Sequence, residues 1–164
     1  MKSLLVIVAA VFFSSRVMSQ QNFLAYSQMV LNKNEAGVST AFSRTSGVEK
    51  DSLVLTYLGT VKDITGRRYK VLTSIWFWGI SSRATSRIIL FDMKNAYIGD
   101  FHLTMIDELP VRIVDDKLVF NCKKMLDAKT PLEFEINFSN GIPSTIFLYE
   151  DDKHGSEYEF ARNL

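Results

Sequence analysis

From Ser52 onward the sequence breaks into short runs of β-branched and aromatic residues, each stopped by turn-forming residues at nearly regular intervals. That rhythm argues against long helices, whose apolar residues recur every three or four positions over many turns. SLVLTYLG and RYKVLTSIWFWG flank VKDITGR, where Asp63 and Gly66 suit a chain reversal. RIILFDM and AYIGDFHL flank Lys94 and Asn95, while VRIV and KLVFN flank Asp115 and Asp116. LEFEINF and STIFLYE flank SNGIP, and YEFAR follows the polar tip DDKHGS. Asn, Asp and Gly tolerate the backbone angles of tight turns, so the pattern predicts hairpin after hairpin. The expected fold class is all-β, an antiparallel β-meander forming a sandwich or partly closed barrel.

Alternation within single strands supports this reading. Leu132, Phe134, Ile136 and Phe138 fall on one face and Glu133, Glu135 and Asn137 on the other, giving a strand with one dry and one wet side. Tyr97, Gly99, Phe101 and Leu103 share a face opposite Ile98, Asp100 and His102. In VLTSIWFWGI both faces are apolar: Leu72, Ser74, Trp76, Trp78 and Ile80 on one, Val71, Thr73, Ile75 and Phe77 on the other. A central strand buried on both sides has that composition. The phrase RIILFDMKNAYIGDFHL resembles the strand-turn-strand phrase of a β-propeller blade. The resemblance covers one hairpin, and a propeller needs at least four blades of ~40 residues, so it assigns no family.

The chain opens MKSLLVIVAAVFFSSRVMSQQ, in which Lys2 precedes an apolar run from Leu4 to Phe13. This is the outline of a secretory signal, with cleavage expected between Ser19 and Gln20 after the Val17-x-Ser19 pair. The run falls short of the ~20 apolar residues of a spanning helix, so no stable membrane insertion is expected after cleavage. The expected organisation is a signal peptide over 1–19, a short helix and loop over 20–50, and the antiparallel β domain over 51–164. In NFLAYSQMVLNK, Phe23, Tyr26, Val30 and Leu31 recur at helical intervals, which predicts one amphipathic N-terminal helix. From Lys33 to Lys50 only Val38, Phe42 and Val48 are large and apolar, and the segment reads as a connector.

Removing residues 1–19 takes away two cations and no acid, moving the formal charge from +1 to −1. A chain so near neutrality has no global field to hold nucleic acid, so no nucleic-acid partner is expected. The single cysteine, Cys122, rules out an internal disulfide and reads as a small buried hydrophobe rather than a nucleophile.

Two places carry possible chemistry. In SIWFWGISSRATSR, Trp76 and Trp78 stand two apart, followed by Arg83 and Arg87. Large aromatics default to the core, and the sequence expects at least one of the two indoles to be buried. The sharper alternative makes them a platform that stacks on a flat apolar surface, a sugar ring or an aromatic group, with the arginines as polar anchors. Asp100 and His102 share a strand face, with Asp107 and Glu108 close behind, which is the material of a general base. The other histidine, His154, sits in a distant polar turn, and no third ligand identifies a metal site. No phosphate-binding glycine loop, Gly-x-Ser-x-Gly elbow or His-Glu-x-x-His helix occurs, and no cofactor is expected.

The expected function is therefore that of a secreted or periplasmic, noncatalytic binding module for an unknown small molecule, glycan or protein. The alternative is a small extracytoplasmic hydrolase built on Asp100 and His102. Export itself is checked by the intact mass of the protein recovered outside the cytoplasm, which should lack residues 1–19.

Overall fold

The computed structural model describes residues 22–46, 49–122, 132–149 and 154–162, with side chains at 44–46, 49, 50, 122 and 132 excepted. The expected signal peptide and its cleavage point lie outside these residues. Residues 22–33 form helix α1, as the spacing of Phe23, Tyr26, Val30 and Leu31 predicts. Ten strands follow: β1 (Ser39–Ser46), β2 (Glu49–Lys62), β3 (Arg68–Trp78), β4 (Arg83–Phe91), β5 (Tyr97–Leu103), β6 (Arg112–Val114), β7 (Lys117–Cys122), β8 (Leu132–Asn137), β9 (Thr145–Tyr149) and β10 (Gly155–Arg162). Every pairing is antiparallel. One sheet has seven strands in the order β1-β2-β3-β4-β5-β10-β9, and the other has three, β6-β7-β8. The two pack as a sandwich, without barrel closure.

Three of the expected tight reversals form, and their chemistry is local. At the β2–β3 turn the Asp63 carboxylate accepts hydrogen bonds from the Thr65 amide and hydroxyl and from the Arg67 amide at 2.6–2.9 Å. At the β4–β5 turn Asp92 accepts from the amides of Lys94 and Ala96, and Asn95 takes the left-handed conformation. Asp115 and Asp116 both have positive φ, 48° and 60°, as a two-residue hairpin turn whose twist matches its strands requires.

The seven-stranded sheet is apolar on both sides. Val71, Ile88, Leu90, Phe101 and Leu103 face the three-stranded sheet, where they meet Leu118, Phe120 and Phe138. Leu55, Tyr57, Leu72, Ile89 and Phe91 face the other way and are covered by Val30 and Leu31 of α1. A polar chain fixes the helix in place. Buried Lys70 donates to the Asn95 side chain at 2.7 Å, and that side chain donates on to Asn32 at 2.8 Å.

Three sequence expectations are corrected. The segment read as a connector after α1 contains β1, paired along its whole length with β2. Of its described side chains only Phe42 packs on the core, so its Ser and Thr content hid it. LEFEINF and STIFLYE do not form a hairpin, because β8 pairs with β7 whereas β9 pairs with β10. SNGIP thus carries the chain from one sheet to the other, a difference in partners that strand patterning does not encode. Finally, Tyr97 does not share the face of Gly99 and Phe101. A bulge sets Leu90 against Gly99 but Phe91 against Tyr97, so Ile98 is the extra residue and Tyr97 passes to the helix side.

Gly99 sits where β5 and β10 approach closely. A Cβ there would lie 2.3 Å from the Ala161 carbonyl oxygen and 2.6 Å from the Phe160 ring. Gly99→Ala should therefore part the two strands and cost about 1–3 kcal/mol, the usual range for overpacking. Denaturant melts of the variant measure it, and an unchanged midpoint would show that β10 yields without loss.

Candidate functional site

The site lies on the part of β3 that the described residues of α1 leave uncovered. The 12 described residues of α1 rise roughly 18 Å at 1.5 Å per residue. The 11 residues of β3 span roughly 37 Å at 3.4 Å per residue. Among the described residues, Val30 and Leu31 seal the part around Leu72, Ser74 is still buried, and the end holding Trp76 and Trp78 stays open. At the start of α1, Tyr26 stacks on Phe42 of β1 with ring centroids 4.2 Å apart. That stack and Phe23 form one wall of a groove of about 460 Å³ over the open half.

Strand register builds the groove floor. Trp76 lies between Leu53 of β2 and Thr85 of β4, and one step along the strand Ser74 lies between Leu55 and Arg87. Trp76 and Arg87 are thus diagonal neighbours on one face, both lining the groove. Trp78 and Arg83 pair opposite each other beyond the lining. There the Arg83 guanidinium lies 5.7 Å from the Trp78 ring centroid, and the Trp78 indole N–H donates to Thr85 at 3.2 Å. The expectation that at least one tryptophan is buried fails, since Trp76 is 39% and Trp78 37% exposed. Both project from the part of β3 that, among the described residues, α1 does not cover.

Asp100 sets the electrostatics. Its carboxylate is buried, only 6% of the residue being exposed, and Arg87 meets it at 3.2 Å. A carboxylate so withdrawn from water needs a cation beside it, and Arg87 supplies one while keeping other N–H donors toward the groove. Tyr97, brought to this face by the bulge, completes the group. Its hydroxyl is pushed up to about 12, first by burial and then by the charge and hydrogen-bonding pull of Asp100. The groove thus holds a neutral phenol at any physiological pH.

The Asp100 and His102 pair does not assemble as a base and its orienting acid. Asp100 is engaged by Arg87, and His102 is exposed opposite Arg87 on the neighbouring strand. Glu108 is drawn elsewhere, accepting hydrogen bonds from the Tyr158 hydroxyl at 2.6 Å and the Met105 amide at 2.7 Å. Among the described residues no group of three His, Cys, Asp or Glu side chains is placed to hold a metal ion. Cys122 ends β7, and its side chain lies outside the described set.

Sequence reasoning missed Tyr97, Tyr26 and Phe42 as parts of this site. Tyr26 was legible as one apolar position of the helix, but its stacking partner comes from an edge strand hidden by composition. Tyr97 needed the bulge, which leaves no mark in the alternation. Comparison with protein-family models, curated proteins and solved structures yields no match for this chain.

Tyr97 gives a pH test. A raised folded-state pKa means its contribution to stability is complete below pH 10, the ordinary value, and is lost as pH rises through about 12. The melting temperature should therefore fall more steeply over that interval in the native protein than in Tyr97→Phe. Equal slopes would remove Asp100 and burial as the cause.

Proposed function

We propose that this protein is an exported, noncatalytic binding module whose groove takes a ligand with a flat apolar face, such as a sugar ring or an aromatic group. The observation that carries the reading is the exposed indole of Trp76 on the floor of a groove walled by Phe23, Tyr26 and Phe42. An aromatic exposed within a concave, largely apolar surface loses water on stacking without first breaking any internal contact. Arg87, Tyr97 and Ser74 supply polar groups at the same surface, enough to orient a ring substituent. Trp78 and Arg83 extend the surface beyond the groove and would meet the rest of a longer ligand.

Export rests on the N-terminal pattern of Lys2, the apolar run and the small residue at Ser19. Among the described residues no helix is long and apolar enough to cross a membrane. The pairing of Asp100 with Arg87 in place of His102 is what favours binding over hydrolysis as the function of this face.

The test uses an uncharged aromatic probe, N-phenyl-1-naphthylamine, whose fluorescence rises on burial. The native protein should bind it saturably, and Trp76→Ala should weaken binding by about tenfold, the scale of losing one aromatic anchor. The same change should cost only about 1–2 kcal/mol in stability, against about 3–5 kcal/mol for a core tryptophan. Unchanged probe binding, or a variant that unfolds, would return Trp76 to a structural role.

A further inference from the structure

A second concavity, of about 450 Å³, opens where the β2–β3 turn, the end of β10 and the 138–144 crossover meet. Three cations from two distant parts of the chain line it: Arg67 and Arg68 from the turn and Arg162 from the end of β10. Among the described residues none of the three guanidinium groups makes an ion pair or a side-chain hydrogen bond. Other surface cations, Lys33, Lys62 and Lys94 among them, also lack an ion pair among the described residues, but no cleft gathers three of them. On the three-stranded sheet Arg112 is held by both oxygens of Glu133, and Lys117 is paired with Glu135.

Carboxylates are present in the cleft, but each is committed to its own turn. Asp63 Oδ1 already accepts three hydrogen bonds from Thr65 and Arg67, and its Oδ2 takes the Tyr69 hydroxyl at 3.3 Å. Asp92 Oδ1 accepts the amides of Lys94 and Ala96. Three guanidinium groups against two carboxylates leave a net positive charge, with the arginine donors unspent. Gathering like charges around one cleft is unfavourable unless something of opposite charge sits among them. Guanidinium forks match tetrahedral oxyanions, donating two parallel hydrogen bonds to a pair of oxygens. Asn140, at the rim, adds a neutral amide able to donate to a further oxygen.

We propose that this cleft is an anion site that binds a phosphate or sulfate group through Arg67, Arg68 and Arg162. The site is separate from the aromatic groove, sharing no lining residue with it. It gives the protein a means of recognising a charged substituent or polyanion that the near-neutral chain as a whole does not attract.

Inorganic phosphate and inorganic sulfate, titrated separately at constant ionic strength, distinguish the two sources. Nuclear magnetic resonance of the arginine Nε–H groups reads the site directly. Saturable shifts at Arg67, Arg68 and Arg162 and at the Asn140 amide are expected, with whichever anion binds more tightly naming the ester. The combined variant Arg67→Gln, Arg68→Gln, Arg162→Gln should weaken binding by at least about tenfold, since each lost charge-assisted pair is among the stronger hydrogen bonds. Its melting temperature should stay near the native value, because none of the three side chains has an internal partner to lose. Arg112→Gln should leave anion binding unchanged. The proposal is overturned if neither anion saturates, if the shifts spread equally to Arg112, or if the triple variant binds as the native protein does. A triple variant that melts far below the native protein overturns it too, by giving these arginines a structural duty.

Discussion

The burial of β3 and β4 on both faces is the constraint on which the rest of the structure depends. Val71, Ile88 and Leu90 look one way and Leu72, Ile89 and Phe91 the other, so a single sheet must find two covers. Each large apolar side chain left in water would forfeit about 1.5–3 kcal/mol. The chain meets one need with a second sheet, reached through β6 and left through the 138–144 crossover. It meets the other with α1. The second sheet brings strands of its own to cover its side, whereas α1 covers only part of the face it meets, and the remaining part is where Trp76 and Trp78 emerge. Among the described residues, the groove is the stretch of this face that α1 leaves uncovered, lined by aromatic side chains beside the core beneath the helix.

Placement of that helix rests on polar contacts as much as on Val30 and Leu31. Lys70, Asn95 and Asn32 form a hydrogen-bonded chain from β3 through the β4–β5 turn to α1, and Gln28 donates to the Asn95 carbonyl oxygen. Of these, Lys70 and Asn95 are buried, and leaving them unpaired is costly, so their contacts with Asn32 and Gln28 favour this seat for the helix. Asp100 and Arg87 do similar work at the groove floor, where the buried carboxylate holds the guanidinium in place.

Charge on this protein is organised locally. Formal charge is near zero, yet the three-stranded sheet pairs its cations with glutamates while the cleft at the β2–β3 turn gathers arginines whose neighbouring aspartates serve their own hairpins. Asp63 and Asp92 show how one residue type can satisfy the backbone of a turn and, by doing so, leave adjacent cations available.

What the sequence determined by itself was local. Side-chain alternation in LEFEINF, the turn chemistry of Asp63, Asn95, Asp115 and Asp116, and the helical spacing of Phe23, Tyr26, Val30 and Leu31 follow from interactions within a few residues, so the strands, three of their turns and the helix were legible. The edge strand β1 was not, because among its described side chains only Phe42 packs on the core and the rest give no apolar pattern. Partner choice was equally hidden: nothing in SNGIP distinguishes a hairpin loop from a crossing between sheets, since that is settled by which strands already have neighbours. The site divides along the same line. Trp76 and Arg87 could be named as candidates from residue type, but whether an indole is core or platform depends on how far a distant helix reaches. Only the tertiary structure decided that, along with the bulge that turned Tyr97 toward Asp100 and the meeting of Arg67, Arg68 and Arg162, because each depends on residues brought together from far apart in the chain.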